Sequence, residues 1–176
     1  MATSVEGRVE LIDPSPSDSS ASGLAFRATN ARGNSILLGS APTDEAAAKD
    51  WTGVSPMEVL LLGLGGCTGL DVISTLRKMR QDVTGYAVRV SGERRDVHPR
   101  IYTRIQVEHE LRGRALKEDS VRRAITLSAG KYCSVSAMLE ANAELDLTYH
   151  IMDETSGAHT TGSIPREHIR TLAADE

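Results

Sequence analysis

The chain has two cysteines, and the groups that the fold places beside each thiol decide whether it is reactive or inert. Cys67 lies in the apolar, glycine-rich stretch SPMEVLLLGLGGCTGLD (residues 55–71), and Cys133 lies in SAGKYCSVSAML (residues 128–139). A thiolate is a nucleophile and a metal ligand, whereas a buried thiol is an inert core group. The two cysteines do not form a CxxC motif, and two alone do not make a thiolate zinc cage. Spacing therefore leaves a reactive thiol and an inert core residue as open alternatives.

The histidines do not point to a metal centre. None of the five stands at the HxxxH or HExxH spacing that places two imidazoles on one helix face: His98, His109, His150, His159 and His168. We therefore predict no metal site and no cofactor.

A long helix must carry Cys67. Ser55 is a favourable N-cap, Pro56 suits the first helical position, and Glu58 stands three residues after Ser55, which completes a capping box. The apolar spacing continues through VISTLRKMR (residues 72–80), whose basic residues suit the last turn. We predict one helix from Pro56 to about residue 80.

Glycines crowd around Cys67 in this predicted helix. Each weakens a helix by about 1 kcal/mol relative to alanine, so something other than helix stability has shaped the segment. Without a Cβ, these residues allow another helix backbone or a substrate to approach closely. Tight helix packing around an inert thiol is the other interpretation, and both fit the same residues: Gly63, Gly65, Gly66 and Gly69.

A second helical region must carry Cys133. We predict a helix over LKEDSVRRAITLSAG (residues 116–130), ended by Gly130, and a shorter helix that begins at Ser134. Cys133 then lies at or beside an N-cap, where free backbone N–H groups favour a thiolate, and Lys131 acts in the same direction.

The remaining segments predict strands and an α+β fold. Residues 23–29 and 34–40 are typical of two short strands, and residues 85–95 and 100–111 of a half-buried antiparallel hairpin. ELDLTYHIM (residues 144–152) is the predicted final strand. In the second arm of the hairpin, one face is predicted to hold Ile101, Thr103, Ile105, Val107 and Leu111.

We divide the chain into three parts. Residues 1–22 are predicted to hold an N-terminal strand and all but the last residue of the Pro/Ser-rich loop DPSPSDSSASG (residues 13–23). Residues 23–152 are the predicted main domain, and residues 153–176 a polar C-terminal extension, loosely ordered or adding peripheral structure.

Composition argues against several classes of partner. A formal net charge of −4 and few aromatic residues argue against nucleic-acid binding. The N-terminus lacks the apolar core of a signal peptide, and the apolar run Val59–Leu70 is shorter than the ~20 residues that span a bilayer. We predict a soluble cytoplasmic protein with no membrane partner.

The two cysteine motifs together resemble the OsmC/Ohr family of thiol-dependent peroxidases, and its OsmC-like branch in particular. SPMEVLLLGLGGCTGLDVISTLRKMRQDV and LSAGKYCSVSAML carry the resemblance, which spans roughly Phe26 to Ile151. It implies the OsmC-like fold: antiparallel strands wrapped around two long central helices in an intertwined homodimer, with both active sites at the subunit interface. Asp71, four residues after Cys67, would then bond across that interface or be solvated.

The resemblance also implies a mechanism in oxidative stress defence. Cys67 matches the peroxidatic cysteine, which attacks an organic hydroperoxide and becomes a sulfenic acid, and Cys133 matches the resolving cysteine. A dithiol reductant, in the family often a lipoylated protein, restores the pair. Apolar residues near Cys67 favour a fatty or aromatic hydroperoxide as the substrate: Met57, Leu60, Leu61 and Leu64.

One position departs from the best-characterised peroxidases of the family. They carry a glutamate directly after the proline, which bonds an arginine that steadies the thiolate, and this chain has Met57 there. Glu58, one residue later, is the candidate for this catalytic glutamate, although the capping box alone also explains it, and Arg27 or Arg32 is the candidate for the catalytic arginine. The alternative function is therefore a non-catalytic dimer whose apolar groove binds a small molecule or lipid.

Overall fold

The computed structural model describes residues 4–12, 24–41, 43, 45–49, 51–167 and 169. They fall into two compact units, Met1–Leu60 and Leu61–Glu176. The predicted loop at residues 13–23, His168 and the chain after residue 169 lie outside the described part. The three-part division predicted from the sequence stays a prediction.

The N-terminal unit contains a three-stranded antiparallel sheet. Its strands are β1 (Gly7–Ile12), β2 (Ala25–Asn30) and β3 (Ser35–Gly39), in the order β1-β2-β3. The turn after β2 is closed by the side-chain oxygen of Asn30, which accepts the backbone N–H groups of Arg32 and Asn34 at 2.9 and 3.0 Å. A short helix, α1 (Glu45–Lys49), follows.

Helix α2 (Pro56–Lys78) begins where the sequence predicts. Glu58 Oε2 accepts the backbone N–H of Ser55 at 2.8 Å, and Ser55 Oγ accepts that of Met57 at 3.3 Å, which confirms the capping box. One side of the helix is buried at every fourth residue, and this helical period is the pattern of a core helix: Leu64, Thr68, Val72 and Leu76.

By length and composition alone, α2 is apolar enough to cross a bilayer, with a mean hydropathy of 1.7 over an 18-residue window. The helix is longer than the apolar run Val59–Leu70 considered in the sequence, because α2 continues past Asp71 to Lys78. The core helix of a water-soluble protein passes the same test, so this single helix is weak evidence of a membrane span.

The C-terminal unit is built on a four-stranded sheet with the order β4-β5-β6-β7. Strands β4 (Asp82–Arg94) and β5 (Tyr102–Arg114) form the predicted antiparallel hairpin, β6 (Glu144–Asp153) runs parallel to β5, and β7 (His159–Ile164) pairs antiparallel with β6. Apolar side chains meet in register across all four strands, as in Val90, Val107, Leu147 and Ile164.

Two predictions about this sheet are wrong. The sequence predicts Thr103 on the inner face of β5, but Thr103 is exposed and Tyr102 is buried, because a register shift opposite Glu93 and Arg94 breaks the alternation. The strand at residues 144–152 is not the final one, since β7 follows it and adds an edge strand from within the predicted C-terminal extension.

The helical region before Cys133 also differs from the prediction. Helix α3 (Glu118–Leu127) ends before Gly130, and Gly130 does not end the helical region. It lies within a π-helical segment (Ser128–Tyr132) that leads to α4 (Ser134–Leu139). Helix α3 buries Val121, Ala124 and Ile125. The α+β architecture predicted from the sequence is confirmed.

Candidate functional site

The structure brings Cys67, Cys133 and Asp71 together within the C-terminal unit. The two Sγ atoms and a carboxylate oxygen of Asp71 all lie within 4.8 Å of one another. Both cysteines are free thiols; Cys67 is half-buried and Cys133 is 2% exposed. Thiols at this separation can exchange electrons with a substrate and then with each other, which an isolated core cysteine cannot do.

Two elements set the positions of these groups. Cys67 and Asp71 are four residues apart on α2, so their side chains project from neighbouring turns of one helix face. Cys133 is held from the other side by the π-helical segment, whose closing bond runs from the Cys133 N–H to the Ser128 carbonyl at 2.8 Å. π-helical turns are rare and recur at functional sites.

Cys133 is the N-cap of α4, as predicted. Its Sγ accepts the backbone N–H of Ser136 at 3.4 Å. The expected preference for the thiolate is nevertheless wrong. Burial raises the pKa of the Cys133 thiol, and the adjacent Cys67 thiol acts in the same direction, against the N–H of Ser136. The effect of burial on the pKa of Cys133 outweighs the effect of the Ser136 N–H at the N-cap, so Cys133 is a thiol at neutral pH.

A chain of hydrogen bonds orients Asp71. Ser128 Oγ donates to Asp71 Oδ2 at 3.2 Å. Since that bond uses the only hydroxyl proton of Ser128, Thr68 Oγ1 must donate to Ser128 Oγ, 2.9 Å away. Thr68 and Ser128 are 4% and 0% exposed. Asp71 thus has a partner within its own chain, so it is not simply solvated.

Sequence reasoning did not assign roles to Thr68 and Ser128. The available signal was the position of Thr68 and Asp71, two polar residues within an otherwise apolar helix segment. Their partner Ser128 is 60 residues away from Thr68 along the chain, and no local pattern in the sequence relates residues so far apart.

The other predicted site residues are more dispersed. Leu64 is 1% exposed and belongs to the core, Leu60 is 42% exposed, and Met57 is half-buried. Glu58 is engaged in the capping box. Arg27 on β2 and Arg32 in the following turn are exposed residues of the N-terminal unit, and their proposed role beside Cys67 stays a prediction.

An apolar groove lies between α2 and β4. Its volume is about 510 Å³, and its walls include Leu61, Leu70, Tyr86 and Val88. Leu61 is therefore the one predicted substrate-binding residue that lines it. On an ideal helix Leu61 lies about 120° around the axis from Cys67.

The four glycines around Cys67 divide into two kinds. A Cβ at Gly65 would lie 3.2 Å from Val90 Cγ2, and one at Gly69 would lie 3.6 Å from side-chain atoms of Tyr86 and Val88, so these two allow α2 to approach β4. A Cβ at Gly63 or Gly66 would meet nothing within 4 Å. Packing within the described chain does not account for these last two glycines.

Comparison with known proteins identifies the family. The sequence model described as OsmC-like protein matches residues 47–148. Protein YhfA of Escherichia coli K12 is 41% identical over 130 residues, 74% of this chain and 92% of YhfA. Among solved structures, an OsmC-like protein from Mycoplasma pneumoniae has a TM-score of 0.68 at 15% identity, over 86% of this chain and 99% of that one.

The organic hydroperoxide resistance protein OhrB of Bacillus subtilis has a TM-score of 0.51 at 14% identity, over 82% of this chain and 97% of OhrB. At such identities these two solved structures show the fold alone. The family match and the identity to YhfA go further: this chain belongs to the OsmC-like protein family.

Proposed function

We propose that this protein reduces organic hydroperoxides in oxidative stress defence, with Cys67 as the nucleophile and Cys133 as the resolving thiol. The observation that carries the proposal is the convergence of two free thiols and the Asp71 carboxylate within 4.8 Å. Membership of the OsmC-like family supports it, since a structural neighbour is named for organic hydroperoxide resistance.

The first step transfers one oxygen to Cys67. Its thiolate attacks the terminal oxygen of the hydroperoxide, an S–O bond forms, and the O–O bond breaks. The alkoxide leaves with the electron pair and takes up a proton as the alcohol. Cys67 is then a sulfenic acid, oxidised by two electrons.

The second step forms the disulfide. The sulfur of Cys133 attacks the sulfenic sulfur of Cys67, and the hydroxyl leaves as water. Asp71 is placed to accept the proton that Cys133 loses and to pass it to the departing hydroxyl, which leaves as water, since its carboxylate lies within 4.8 Å of both sulfurs. The sulfurs must close to the ~2.05 Å of a disulfide. A dithiol reductant, which we propose to be a lipoylated protein, then restores both thiols.

The raised pKa of Cys133 suits the resolving role. A buried neutral thiol reacts slowly with peroxide, because the thiolate is the nucleophile. Cys133 therefore stays reduced until Cys67 has reacted, and the order of the two steps is fixed by burial.

We further propose that the protein is a homodimer that packs one face of α2 against its copy. That face carries Gly63 and Gly66, where a Cβ would meet nothing within 4 Å, beside Leu62 and Leu70, which are 63% and 77% exposed. Two glycines in a helix interior cost about 1 kcal/mol each relative to alanine. A second copy at close approach supplies the compensation that the chain itself does not.

Substrates with an apolar organic group fit the surroundings of Cys67 better than hydrogen peroxide does. Leu60, seven residues or about two turns before Cys67 on α2, is an apolar side chain with 42% of its surface exposed. We expect cumene hydroperoxide to be consumed faster than hydrogen peroxide, and the reverse order would contradict this part of the proposal.

The deciding experiment is intact-protein mass spectrometry of the reduced chain after one equivalent of cumene hydroperoxide, with a parallel thiol count. The proposal expects the loss of two hydrogens and of both thiols within one chain. Cys133→Ser should instead gain one oxygen at Cys67, and Cys67→Ser should show neither change nor peroxide consumption. An unchanged wild-type mass with both thiols free would contradict the proposal.

The groove of about 510 Å³ favours one alternative, a non-catalytic dimer that binds a small apolar ligand or lipid. Met57, at the position of the usual glutamate, is consistent with it. A protein that leaves cumene hydroperoxide intact but carries a co-purifying apolar molecule, released on denaturation, would support this alternative.

A further inference from the structure

We propose that the reduced protein binds one thiophilic divalent cation, Zn²⁺ or a similar ion, through Cys67 Sγ, Cys133 Sγ and a carboxylate oxygen of Asp71. The inference uses the cysteines of the proposed function but does not depend on peroxide turnover. It departs from the sequence-based prediction of no metal site, which counted the histidines and the cysteines without Asp71.

The separations of the three atoms suit a tetrahedral ion. Zinc–sulfur bonds of about 2.3 Å and zinc–oxygen bonds of about 2.0–2.2 Å hold ligand atoms roughly 3.5–3.8 Å apart. The three atoms here all lie within 4.8 Å of one another. An ion bound at the centre would draw the three atoms to these separations and leave a fourth position open for water or a substrate group.

The ligands come from a rigid frame. Cys67 and Asp71 lie four residues apart on the 23-residue helix α2, a spacing that presents two ligands from one helix face. Cys133 is fixed as the N-cap of α4 by the bonds of its backbone N–H and its Sγ. Little conformational entropy remains to be lost when an ion binds.

The outer hydrogen bonds resemble those that orient metal ligands elsewhere. Metal-bound carboxylates are themselves hydrogen-bonded, and such partners tune the affinity. Ser128 Oγ donates to Asp71 Oδ2 at 3.2 Å and is held in turn by Thr68 at 2.9 Å, both of them buried. The carboxylate keeps lone pairs for the ion, since Ser128 occupies only one of them.

Charge favours a cation at this point. Within the part of the chain that the structure describes, Asp71 forms no ion pair, and two groups that can become thiolates lie beside it. Thiolate ligands select zinc and similar soft ions over magnesium and calcium.

The same atoms cannot hold the ion and form a disulfide. Oxidation of Cys67 and Cys133 removes both thiolates, so the oxidised protein should release its ion. Conversely, an ion on both sulfurs occupies the electron pair that would attack a peroxide. The site is therefore a redox-sensitive cation site.

The test uses the full-length reduced protein after removal of metals with a chelator. Titration with Zn²⁺ against a chromogenic chelator should give one ion per chain, and Co²⁺ should give the charge-transfer bands of thiolate ligation. Cys67→Ser and Cys133→Ser should each weaken those bands. Ser128→Ala should weaken Zn²⁺ binding about 10- to 100-fold, and Asp71→Asn should weaken it more.

Asp96→Asn is the matched control, because it removes an exposed carboxylate in the β4–β5 turn and should bind Zn²⁺ like the wild type. Thermal unfolding of each metal-free variant shows whether it is folded. Absence of saturable Zn²⁺ binding, Co²⁺ bands without thiolate character, or wild-type affinity in a folded Asp71→Asn protein would each overturn the proposal.

Diamide separates this inference from the proposed function, because it oxidises dithiols without a peroxide. Diamide should release the bound Zn²⁺ from the wild type in step with disulfide formation. If peroxide forms the disulfide but Zn²⁺ does not bind, only the cation site is wrong. If Zn²⁺ binds and diamide releases it while peroxide is not consumed, the peroxidase proposal is wrong.

Discussion

The hydroxyl of Tyr86 lies 2.7 Å from Nδ1 of His109 and links β4 to β5 inside the C-terminal unit. His109 is fully buried, and its Nε2 has no hydrogen-bond partner among the described residues. Burial lowers the pKa of His109 to about 4. Burial, with Asp71 nearby, raises the pKa of Tyr86 above its ordinary value. Both side chains are thus neutral at neutral pH.

We expect the stability of the fold to fall as the pH decreases from about 6.5 to about 4. In this range His109 takes up a proton in the unfolded chain, at its ordinary pKa near 6.5, but not in the folded one. Because the unfolded state binds more protons there, the free energy of unfolding falls with decreasing pH. The loss is about 3 kcal/mol, and urea unfolding at several pH values measures it.

His109→Gln is the matched variant, because glutamine can still bond the Tyr86 hydroxyl but does not titrate. Carboxylates that titrate in the same range do so in both proteins, so the difference between the two curves isolates His109. Tyr86, and Tyr149 opposite His109 on β6, do not titrate there. Parallel curves for the two proteins would contradict the expected role of burial.

The capping box allows a test of Glu58 that separates structure from catalysis. Glutamine also serves at the third position of a capping box, so Glu58→Gln should keep wild-type stability, whereas Glu58→Ala should lose about 1 kcal/mol. If the cap is the role of Glu58, the peroxide consumption of Glu58→Gln equals that of the wild type. A stable Glu58→Gln protein with impaired consumption would instead support the catalytic role predicted from the resemblance.

Much of the site's local structure could be predicted because it rests on neighbouring residues. Ser55 and Glu58 fix the start of α2, and Ser134 opens α4 with Cys133 as its N-cap. These features depend on turn-by-turn geometry, which a sequence displays directly.

What the sequence could not show depends on distant or exceptional contacts. No local pattern relates Thr68 to Ser128, and the burial that raises the pKa of Cys133 comes from the packing around it. The register shift that exposes Thr103 breaks an alternation that the sequence otherwise follows, and Gly130, a residue that commonly ends helices, lies within a π-helical segment instead.

The glycines of α2 give a prediction about association. Gly66→Ala should weaken the proposed dimer, because a methyl group would separate the two helices at their closest approach. In the separated chain the same change should stabilise the helix by about 1 kcal/mol, since a Cβ there meets nothing within 4 Å. Sedimentation equilibrium, with thermal unfolding at several protein concentrations, measures both effects.

Gly65→Ala is the control, because its Cβ would lie 3.2 Å from Val90 Cγ2 within the chain. Crowding against β4 should offset the gain in helix propensity, so Gly65→Ala should be less stable than Gly66→Ala in the separated chain and should leave association unchanged. A Gly66→Ala protein that is more stable at every concentration and associates like the wild type would exclude this face of α2 from the dimer interface.

The buried pair Thr68 and Ser128 supports a prediction about energetic coupling. Ser128→Ala leaves the Thr68 hydroxyl buried without its partner, which should cost about 1–3 kcal/mol. In Thr68→Val with Ser128→Ala no buried hydroxyl remains, so the double variant should lose less stability than the sum of the single losses, by about 1 kcal/mol. Urea unfolding of the four proteins in this cycle gives the coupling energy.

Asp71 is half-buried and can bond water once Ser128 is replaced, so its lost bond contributes little to the stability change. Additive losses would mean that the 2.9 Å contact between the two hydroxyls contributes no stability.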